Sequence, residues 1–310
     1  MGGWVTDFDA LEEHVFARLE AIGLSPAQMQ LFRPISEIAD KPIKFVLRDS
    51  RGRSLGVLHW SPPAAVQTVA NSVRLAEAAR RRLGDELGSV VLAASLEGEF
   101  QSRSFAVYPW MGVLSDRGIF SRLDNWRYAV PTFNWLGEVY TSTYSPLAES
   151  EFDTRVIAPL QQLVGESGLD PASRESVMAC LEAVETGAFQ PRVGPVHNDL
   201  WRGNLLLPHG ASGPQAGRWP FFLIDWGAST LSGFPLWDLL RILRSFRVSR
   251  RVASRVLRSH CERLGLSLEE GRHSVVLALA NLGLYRNDLP LERYLGSVEA
   301  ACAYYGELAD

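Results

Sequence analysis

Apolar residues recur at helical spacing near the start of the chain and then in short runs. Between residues 7 and 23 they stand three or four positions apart, and Gly23 supplies a stop, which predicts an amphipathic helix. Two runs rich in apolar and β-forming residues follow at 43–47 and 55–60. The polar, glycine-containing residues between them are typical of a turn, so the two runs predict an antiparallel pair of strands.

The same pattern predicts one more helix and two more strands before residue 110. A helix is expected at 64–83, after a pair of prolines that ends the preceding strand. Further strands are expected at 90–94 and 105–108. We therefore expect residues 1–110 to form a small α+β lobe with a nucleotide-binding sheet and helix.

The rest of the chain is dominated by helical spacing. Helices are predicted at 133–144, 152–165, 171–186, 236–246, 250–264 and 268–285. Ser267, with Glu270 three residues later, has the pattern of a cap for the last of these. The helical pattern is interrupted once, at 193–229, and the interruption is where we expect the chemistry. Residues 111–310 would form a larger, mostly helical lobe that holds the catalytic loop and the acceptor site.

Composition narrows the function classes. With 46% hydrophobic and 21% charged residues among 310, the chain is typical of a globular protein. A net charge of -4 gives no basic field for a phosphate backbone, so we expect no nucleic-acid partner. The first residues carry acids and no long apolar run, which predicts neither a signal peptide nor a membrane anchor. We expect a cytoplasmic protein without a membrane partner.

The interruption carries three groups suited to phosphoryl transfer. Asp199 and Asn204 precede one apolar run, and Asp225 follows a second run. The turn-rich residues 208–220 separate the two runs as a hairpin loop would. Transfer from a nucleotide needs a carboxylate that orients the acceptor and oxygen ligands for Mg²⁺. These three side chains supply both.

This constellation, with His197 upstream, resembles the catalytic loop and the metal-binding aspartate of the aminoglycoside phosphotransferase and choline kinase-like family. That family is a distant branch of the protein-kinase fold, and the resemblance covers about residues 35–245. It implies an α+β, two-lobed fold with a small antiparallel-sheet N-lobe and a larger helical C-lobe. It also implies that Asp199 is the catalytic base and that His197 supports the loop. Asn204 and Asp225 would bind Mg²⁺.

Four more residues have predicted roles, of which the first follows from the resemblance. Asp238 resembles the buried aspartate that anchors the catalytic loop through backbone N–H groups. Arg202 lies inside the loop, where it would contact phosphate oxygens or form a surface salt bridge. Tyr108 and Trp110, at the end of the sheet-rich part, are predicted to contact the nucleotide.

The expected phosphate-binding lysine is missing. In kinase-like folds a strand lysine holds the α- and β-phosphates and pairs with a glutamate on the next helix. Glu77 is the expected glutamate, but His59 occupies the lysine position. Lys41 and Lys44 are the chain's two lysines. Either one of them reaches the phosphates, or His59 itself is the phosphate ligand, or the chain has lost catalysis and is a nucleotide-binding scaffold.

The sequence leaves the acceptor open. Our principal prediction is an ATP- or GTP-dependent kinase that phosphorylates a hydroxyl of a small molecule of the sugar, aminoglycoside or amino-alcohol type. Cationic acceptors need acids or aromatic cages, and the helical part offers Glu138, Glu149, Glu151, Asp153, Tyr140 and Tyr144. The alternatives are a kinase of Ser or Thr in a peptide, as in lanthipeptide maturation, and a catalytically impaired pseudokinase scaffold.

Overall fold

A computed structural model describes the chain at residues 4–35, 40–115, 118–208, 218–284 and 290–310. The chain divides into two compact units, which alternate along the sequence. The first unit consists of Met1–Leu114 and Gly203–Ala228, and the second consists of Ser115–Arg202 and Ser229–Asp310. The two lobes predicted from sequence, divided once near residue 110, stay a prediction. The observed division places Gly203–Ala228 with the first unit.

The described part of the chain contains both helices and strands throughout. The helices are α1 Trp4–Glu20, α2 Thr68–Gly88, α3 Gly118–Thr143, α4 Ala158–Gly165, α5 Pro171–Glu185, α6 Trp237–Phe246, α7 Arg250–Leu264, α8 Leu268–Leu284 and α9 Leu291–Ala309. The strands are β1 Gln28–Leu31, β2 Ile43–Arg48, β3 Ser54–Trp60, β4 Leu96–Phe100, β5 Arg103–Pro109, β6 Gly112–Val113, β7 Ser145–Pro146, β8 Arg192–Val196, β9 Leu205–Leu207, β10 Phe222–Leu223 and β11 Thr230–Gly233.

The first unit is built on an antiparallel sheet with the order β1-β2-β3-β5-β4. One face buries its apolar side chains against α1 in a core of Leu11, Val15, Leu19, Ile43, Phe45, Leu47, Leu58, Trp60, Phe105 and Val107. Successive strand residues point to opposite faces, so Lys44 and His59 lie on the other face. There Val69 and Val73 of α2 pack against Ala106. This second face holds Lys44, His59 and Tyr108 of the candidate nucleotide-binding residues.

The turn between β2 and β3 forms because Asp49 organises its own backbone. Its carboxylate accepts hydrogen bonds from the backbone N–H groups of Arg51, at 2.9 Å, and Arg53, at 2.8 Å. Gly52 has a φ of 76°, in the left-handed region that glycine adopts without steric cost. The predicted hairpin is thereby confirmed, and its register places Lys44 opposite His59.

A second small sheet of the first unit has the order β10-β9-β6. The register pairs Leu205 with Leu223, so β9 and β10 form the predicted hairpin. Most of the predicted loop of this hairpin, residues 209–217, lies outside the described residues.

The second unit is mainly helical and contains a sheet with the order β11-β8-β7. Helix α6 is strongly amphipathic and buries Leu239, Ile242 and Leu243 completely. Since β8 ends at Val196, it delivers the chain directly to His197 at the start of the candidate catalytic loop. The sheet and α6 are therefore the elements that position this loop.

Several predicted elements are corrected by the structure. The strand predicted at 90–94 is wrong, because Val91 makes only an isolated bridge to Leu223 and β4 begins at Leu96. The apolar run there is buried core, whereas β4 alternates acidic and apolar residues. Strand β1 and helix α9 were not predicted, and α3 begins well before residue 133.

The bounds of helix α2 differ from the prediction, whereas the predicted cap of helix α8 is observed. Helix α2 starts at Thr68, later than predicted, and runs to Gly88 through a kink at Gly84. At α8 the predicted capping box is confirmed. The Ser267 N–H donates to a Glu270 carboxylate oxygen at 2.7 Å, and the Glu270 N–H donates to the Ser267 hydroxyl at 3.2 Å. None of the helices within the described residues is both long and apolar enough to cross a membrane.

Candidate functional site

The first unit places a lysine and a histidine side by side on one face of its sheet. Lys44 of β2 is directly opposite His59 of β3, and the same row continues through Ala106 of β5 to Glu97 of β4. Residues in one row of an antiparallel sheet project from the same face. Lys44 and His59 are therefore neighbours on the face that α2 covers, and Glu97 is a member of this row that the sequence did not indicate.

The charges of this row are set by burial and by one another. Burial lowers the pKa of His59 well below its ordinary value, and the nearby Lys44 ammonium lowers it further. His59 is therefore neutral near pH 7. Burial also lowers the pKa of Lys44, while the Asp225 carboxylate raises it and the charges of Arg33 and Lys41 lower it. Lys44 is thus a partly buried cation that interacts with the predicted metal ligand.

The two predicted metal ligands lie at the same end of the β9/β10 hairpin. Asn204 immediately precedes β9, and its carbonyl accepts a hydrogen bond from the Ile224 N–H at 3.1 Å. Asp225 is the next residue. It is exposed and has a φ of 66°, a left-handed conformation that Asp tolerates better than most residues. The structure therefore brings Asn204 and Asp225 together, as the sequence predicted.

The remaining candidate nucleotide residues occupy different positions in the first unit. The Tyr108 ring packs against the His59 ring, with the two ring centroids 5.0 Å apart. Burial raises the pKa of the Tyr108 phenol, and the charges of Glu97 and Asp225 raise it to a smaller extent. Trp110 follows β5 and donates its backbone N–H to the Leu55 carbonyl at 3.0 Å. Lys41 is exposed in the segment before β2.

Glu77 lies on α2, and the ion pair that the structure gives it is with an arginine of the same helix rather than with a residue of the sheet. Its side chain is 57% exposed and lies 3.8 Å from the Arg81 guanidinium, one helical turn away. The Glu77 charge also contributes to raising the pKa of Glu97. Lys44 receives its favourable charge interaction from Asp225 rather than from this helix glutamate.

In the second unit a buried aspartate holds the candidate catalytic loop. The Asp238 carboxylate accepts a hydrogen bond from the backbone N–H of His197 at 2.6 Å, and both residues are almost fully buried. Burial raises the pKa of Asp238, whereas the His197 and Arg241 side groups oppose that shift. Asn198 follows in a left-handed conformation with a φ of 63°, which turns the chain toward Asp199. The anchoring role predicted for Asp238 is confirmed.

The catalytic-base candidate Asp199 has an unpredicted partner. An Nη2 group of Arg241 donates to its Oδ1, in an ion pair whose side chains are 31% and 41% exposed for Arg and Asp, respectively. Arg241 follows Asp238 by three residues on α6, so the helix that anchors the loop also contacts its carboxylate. The sequence signal was a basic residue one turn after the anchoring aspartate, on an otherwise apolar helix face.

Arg202 has a structural role within the second unit. Its backbone N–H donates to the Ser245 hydroxyl at 3.0 Å, and its guanidinium donates to the Ser115 carbonyl at 2.6 Å. These bonds tie the end of the loop to α6 and to the segment before α3. These contacts are hydrogen bonds to the protein, and the phosphate contact or surface salt bridge that the sequence suggested stays a prediction.

The aromatic residues proposed for a cationic acceptor belong to the core. Tyr140 and Tyr144 are buried. The Tyr140 hydroxyl accepts from the Leu236 N–H at 3.0 Å, and the Tyr144 hydroxyl donates to the Pro195 carbonyl at 3.1 Å. Of the acids, Glu151 pairs with Arg155 at 3.2 Å. The two tyrosines therefore support β8 and α6 and do not form an aromatic cage.

The donor set at the hairpin end fits a magnesium ion. Asn204 and Asp225 offer an amide oxygen and a carboxylate, which are the hard oxygen ligands that Mg²⁺ prefers. The neighbouring Lys44 ammonium would meet the phosphates that normally complete such a site.

Comparisons with known proteins address the fold. No family model and no curated protein sequence matches the chain. Among solved structures, the choline kinase LicA from Streptococcus pneumoniae matches with a TM-score of 0.50 and 11% identity, over 96% of this chain and 99% of that chain. A choline/ethanolamine kinase family protein from Mesorhizobium loti matches with a TM-score of 0.49 and 14% identity, over 96% and 98%. An aminoglycoside-3'-phosphotransferase of type VIII matches with a TM-score of 0.40 and 18% identity, over 95% and 98%.

The comparison with the S. pneumoniae structure confirms the predicted fold. The chain has the α+β, protein-kinase-like fold of the S. pneumoniae structure along nearly its whole length. An identity of 11% shows the fold and leaves the activity to be argued from the residues.

Proposed function

We propose that the protein transfers the γ-phosphate of ATP or GTP to a hydroxyl group of a small molecule, with Mg²⁺ as cofactor. The observation that carries the proposal is that the β9/β10 hairpin brings Asn204 and Asp225 to one end, where the Lys44 charge also interacts with Asp225. A lysine and a metal-binding carboxylate in one place are the groups that hold a nucleotide triphosphate and its metal.

The residues have distinct roles in this proposal. Asn204 and Asp225 would hold Mg²⁺, which would neutralise charge on the phosphates when it is bound. Lys44 would contact phosphate oxygens, the role that a strand lysine has in other kinases. His59, neutral and beside Lys44, would line the nucleotide site as an uncharged neighbour. Asp199 would orient the acceptor hydroxyl and accept its proton.

The anchoring of the loop supports catalysis over a pure scaffold role. The Asp238 carboxylate is buried to hold the backbone of His197, at a desolvation cost that hydrogen bonds to the loop offset in part. This bond helps to hold the loop that carries Asp199 in place, and phosphoryl transfer requires such rigid positioning of the catalytic carboxylate. The name of the fold neighbour, a choline kinase, supports a small hydroxyl acceptor over a peptide.

Nucleotide binding provides the first test. Calorimetric titration with ATP and with GTP, with Mg²⁺ and with a chelator, should show binding only when the metal is present. Asp225→Asn should weaken this binding by about 10-fold or more, since it removes one charged ligand. Asp85→Asn, at another acid of the first unit on α2, is the matched control. Nucleotide affinity that is unchanged by the chelator would contradict the proposed metal site.

Phosphoryl transfer provides the second test. A panel of sugars, aminoglycosides, amino alcohols and Ser/Thr peptides would be screened for nucleoside diphosphate release. Asp199→Asn should abolish transfer while nucleotide affinity persists, whereas Glu175→Gln, at an exposed acid of α5, should leave both unchanged. If the wild type and Asp199→Asn are equally inert across the panel, the protein is a nucleotide-binding scaffold instead.

A further inference from the structure

Arg241 contacts both the proposed catalytic base and an aromatic ring of its own helix. Its guanidinium contacts Asp199 through Nη2 and lies over the Trp237 ring, with its central carbon 5.5 Å from the ring centroid. A guanidinium has five N–H donors in a planar fork. The Asp199 contact uses one of them, so the group retains capacity for a second partner.

Two buried donors in this place have no hydrogen-bond partner within the described residues. One is the Arg241 Nε–H and the other is the Trp237 indole N–H. Trp237 is only 8% exposed, so its N–H has been removed from bulk solvent. An unsatisfied buried donor is costly, and an acceptor bound against these two neighbouring side chains would satisfy it. Arg241 and Trp237 both belong to α6 of the second unit, as neighbours one turn apart.

We propose that Arg241 and Trp237 form an oxyanion-binding subsite beside Asp199, and that the phosphorylated acceptor is a hydroxyl compound with a carboxylate or phosphate group. This inference rests on the proposed phosphotransferase function. The guanidinium fork matches the geometry of carboxylate and phosphate oxygens, and the indole N–H adds a neutral donor.

The same arrangement disfavours a cationic acceptor. The Arg241 guanidinium already compensates the Asp199 carboxylate. An ammonium group held next to Asp199 would therefore meet the like charge of Arg241 at short range, without an uncompensated carboxylate to attract it. The tyrosines that the sequence offered for a cationic cage are buried and hydrogen-bonded in the core. The residues around Asp199 therefore favour an anionic acceptor, in contrast to the choline of the fold neighbour.

The subsite can be tested by binding alone, with a matched set of three-carbon compounds. Glycerol is neutral, glycerate carries a carboxylate, glycerol 3-phosphate carries a phosphate, and 3-amino-1,2-propanediol carries a cation. Calorimetric titration of the full-length protein at physiological ionic strength should show that the two anions bind at least about 10-fold more tightly than the other two.

Variants on α6 connect that preference to the two donors. Arg241→Met should weaken anion binding by about 10- to 100-fold, and Arg241→Lys should restore part of it. Trp237→Phe keeps the ring and loses the N–H, so it should weaken anion binding by a smaller factor. Arg244→Met, at an exposed arginine of the same helix, is the control and should leave binding unchanged. Equal affinities for the four compounds, tightest binding of the amine, or anion binding that survives Arg241→Met would overturn the subsite.

Two further measurements, acceptor phosphorylation and the ATP affinity of Arg241→Met, distinguish failure of this inference from failure of the proposed function and from a nucleotide contact. If anion binding depends on Arg241 but the nucleotide is never consumed with any acceptor, the subsite stands and the phosphotransferase proposal fails. If glycerol or the amine is phosphorylated in an Asp199-dependent reaction without any anion preference, the function stands and the subsite fails. If Arg241→Met weakens ATP affinity and leaves the order of acceptor affinities unchanged, the guanidinium binds the nucleotide phosphate, which also overturns the proposal.

Discussion

Asp238 accepts a hydrogen bond from the backbone N–H of His197 at 2.6 Å, so a side chain of α6 fixes a loop that begins 41 residues earlier. Both partners are buried, and the carboxylate has little access to solvent. The bond joins β8, the loop and α6 within the second unit. We therefore expect this unit's stability and the order of the candidate catalytic loop to depend on the same carboxylate.

Removal of this carboxylate should destabilise the protein measurably. Asp238→Ala leaves the His197 N–H buried without its acceptor, and we expect a loss of about 2–3 kcal/mol in the free energy of unfolding. Asp238→Asn keeps an acceptor oxygen and should lose less. Chemical denaturation followed by circular dichroism measures both values.

Asp170 offers a matched comparison for that experiment. Its half-buried carboxylate also accepts backbone N–H bonds, from Ala172 at 2.9 Å and Ser173 at 3.1 Å, at the start of α5. Loss of such a cap is worth about 1 kcal/mol. If Asp238→Ala is no more destabilising than Asp170→Ala, the buried hydrogen bond contributes little to the stability of this unit.

The two lysines should differ strongly in their effect on activity. Lys44 lies in β2 and interacts with Asp225, whereas Lys41 is exposed before the strand. Lys44→Met should lower kcat/KM by about 100-fold or more, because it removes the proposed phosphate contact. Lys41→Met should change kcat/KM by less than about 3-fold, because an exposed charge interacts only weakly with its surroundings. Steady-state kinetics with the preferred nucleotide compares them, and a larger effect at Lys41 would reverse the assignment.

The sequence predicted local chemistry well and tertiary partners poorly. The β2/β3 hairpin, the Ser267 capping box and the hairpin that holds Asn204 depend on residues close in sequence, so turn and cap patterns sufficed. The choice between Lys44 and His59 needed the strand register and the burial that neutralises the imidazole. Arg241 was missed because its contact with Asp199 spans 42 positions. The aspartate anchor was predicted only through family resemblance.

Lys44 should also set the alkaline limit of activity. Its pKa is lowered from the ordinary lysine value, chiefly by burial, and only the ammonium form binds phosphate well. As pH rises through that lowered pKa, the cation is lost and kcat/KM, which reports the free enzyme, should fall. In Lys44→Arg the guanidinium stays protonated throughout, so the alkaline decrease should disappear. A pH–rate profile with the same alkaline limb in both proteins would assign the limb to another group.

His59 should make the folded state sensitive to acid. Burial and the Lys44 charge lower the pKa of His59 in the folded protein, whereas in the unfolded chain it titrates at about 6.5. Between these two values the unfolded state binds the additional proton, so the stability is present above pH 6.5 and is lost as pH falls. His59→Gln removes this contribution. Below pH 6.5 the wild type should therefore lose up to about 1.4 kcal/mol per pH unit more than the variant. Urea denaturation of both proteins from pH 7.5 to 5 measures the difference, in which the titration of all other groups cancels. A difference that is independent of pH would show that His59 titrates normally in the folded state, and a charged imidazole would again be a candidate for the phosphate contact.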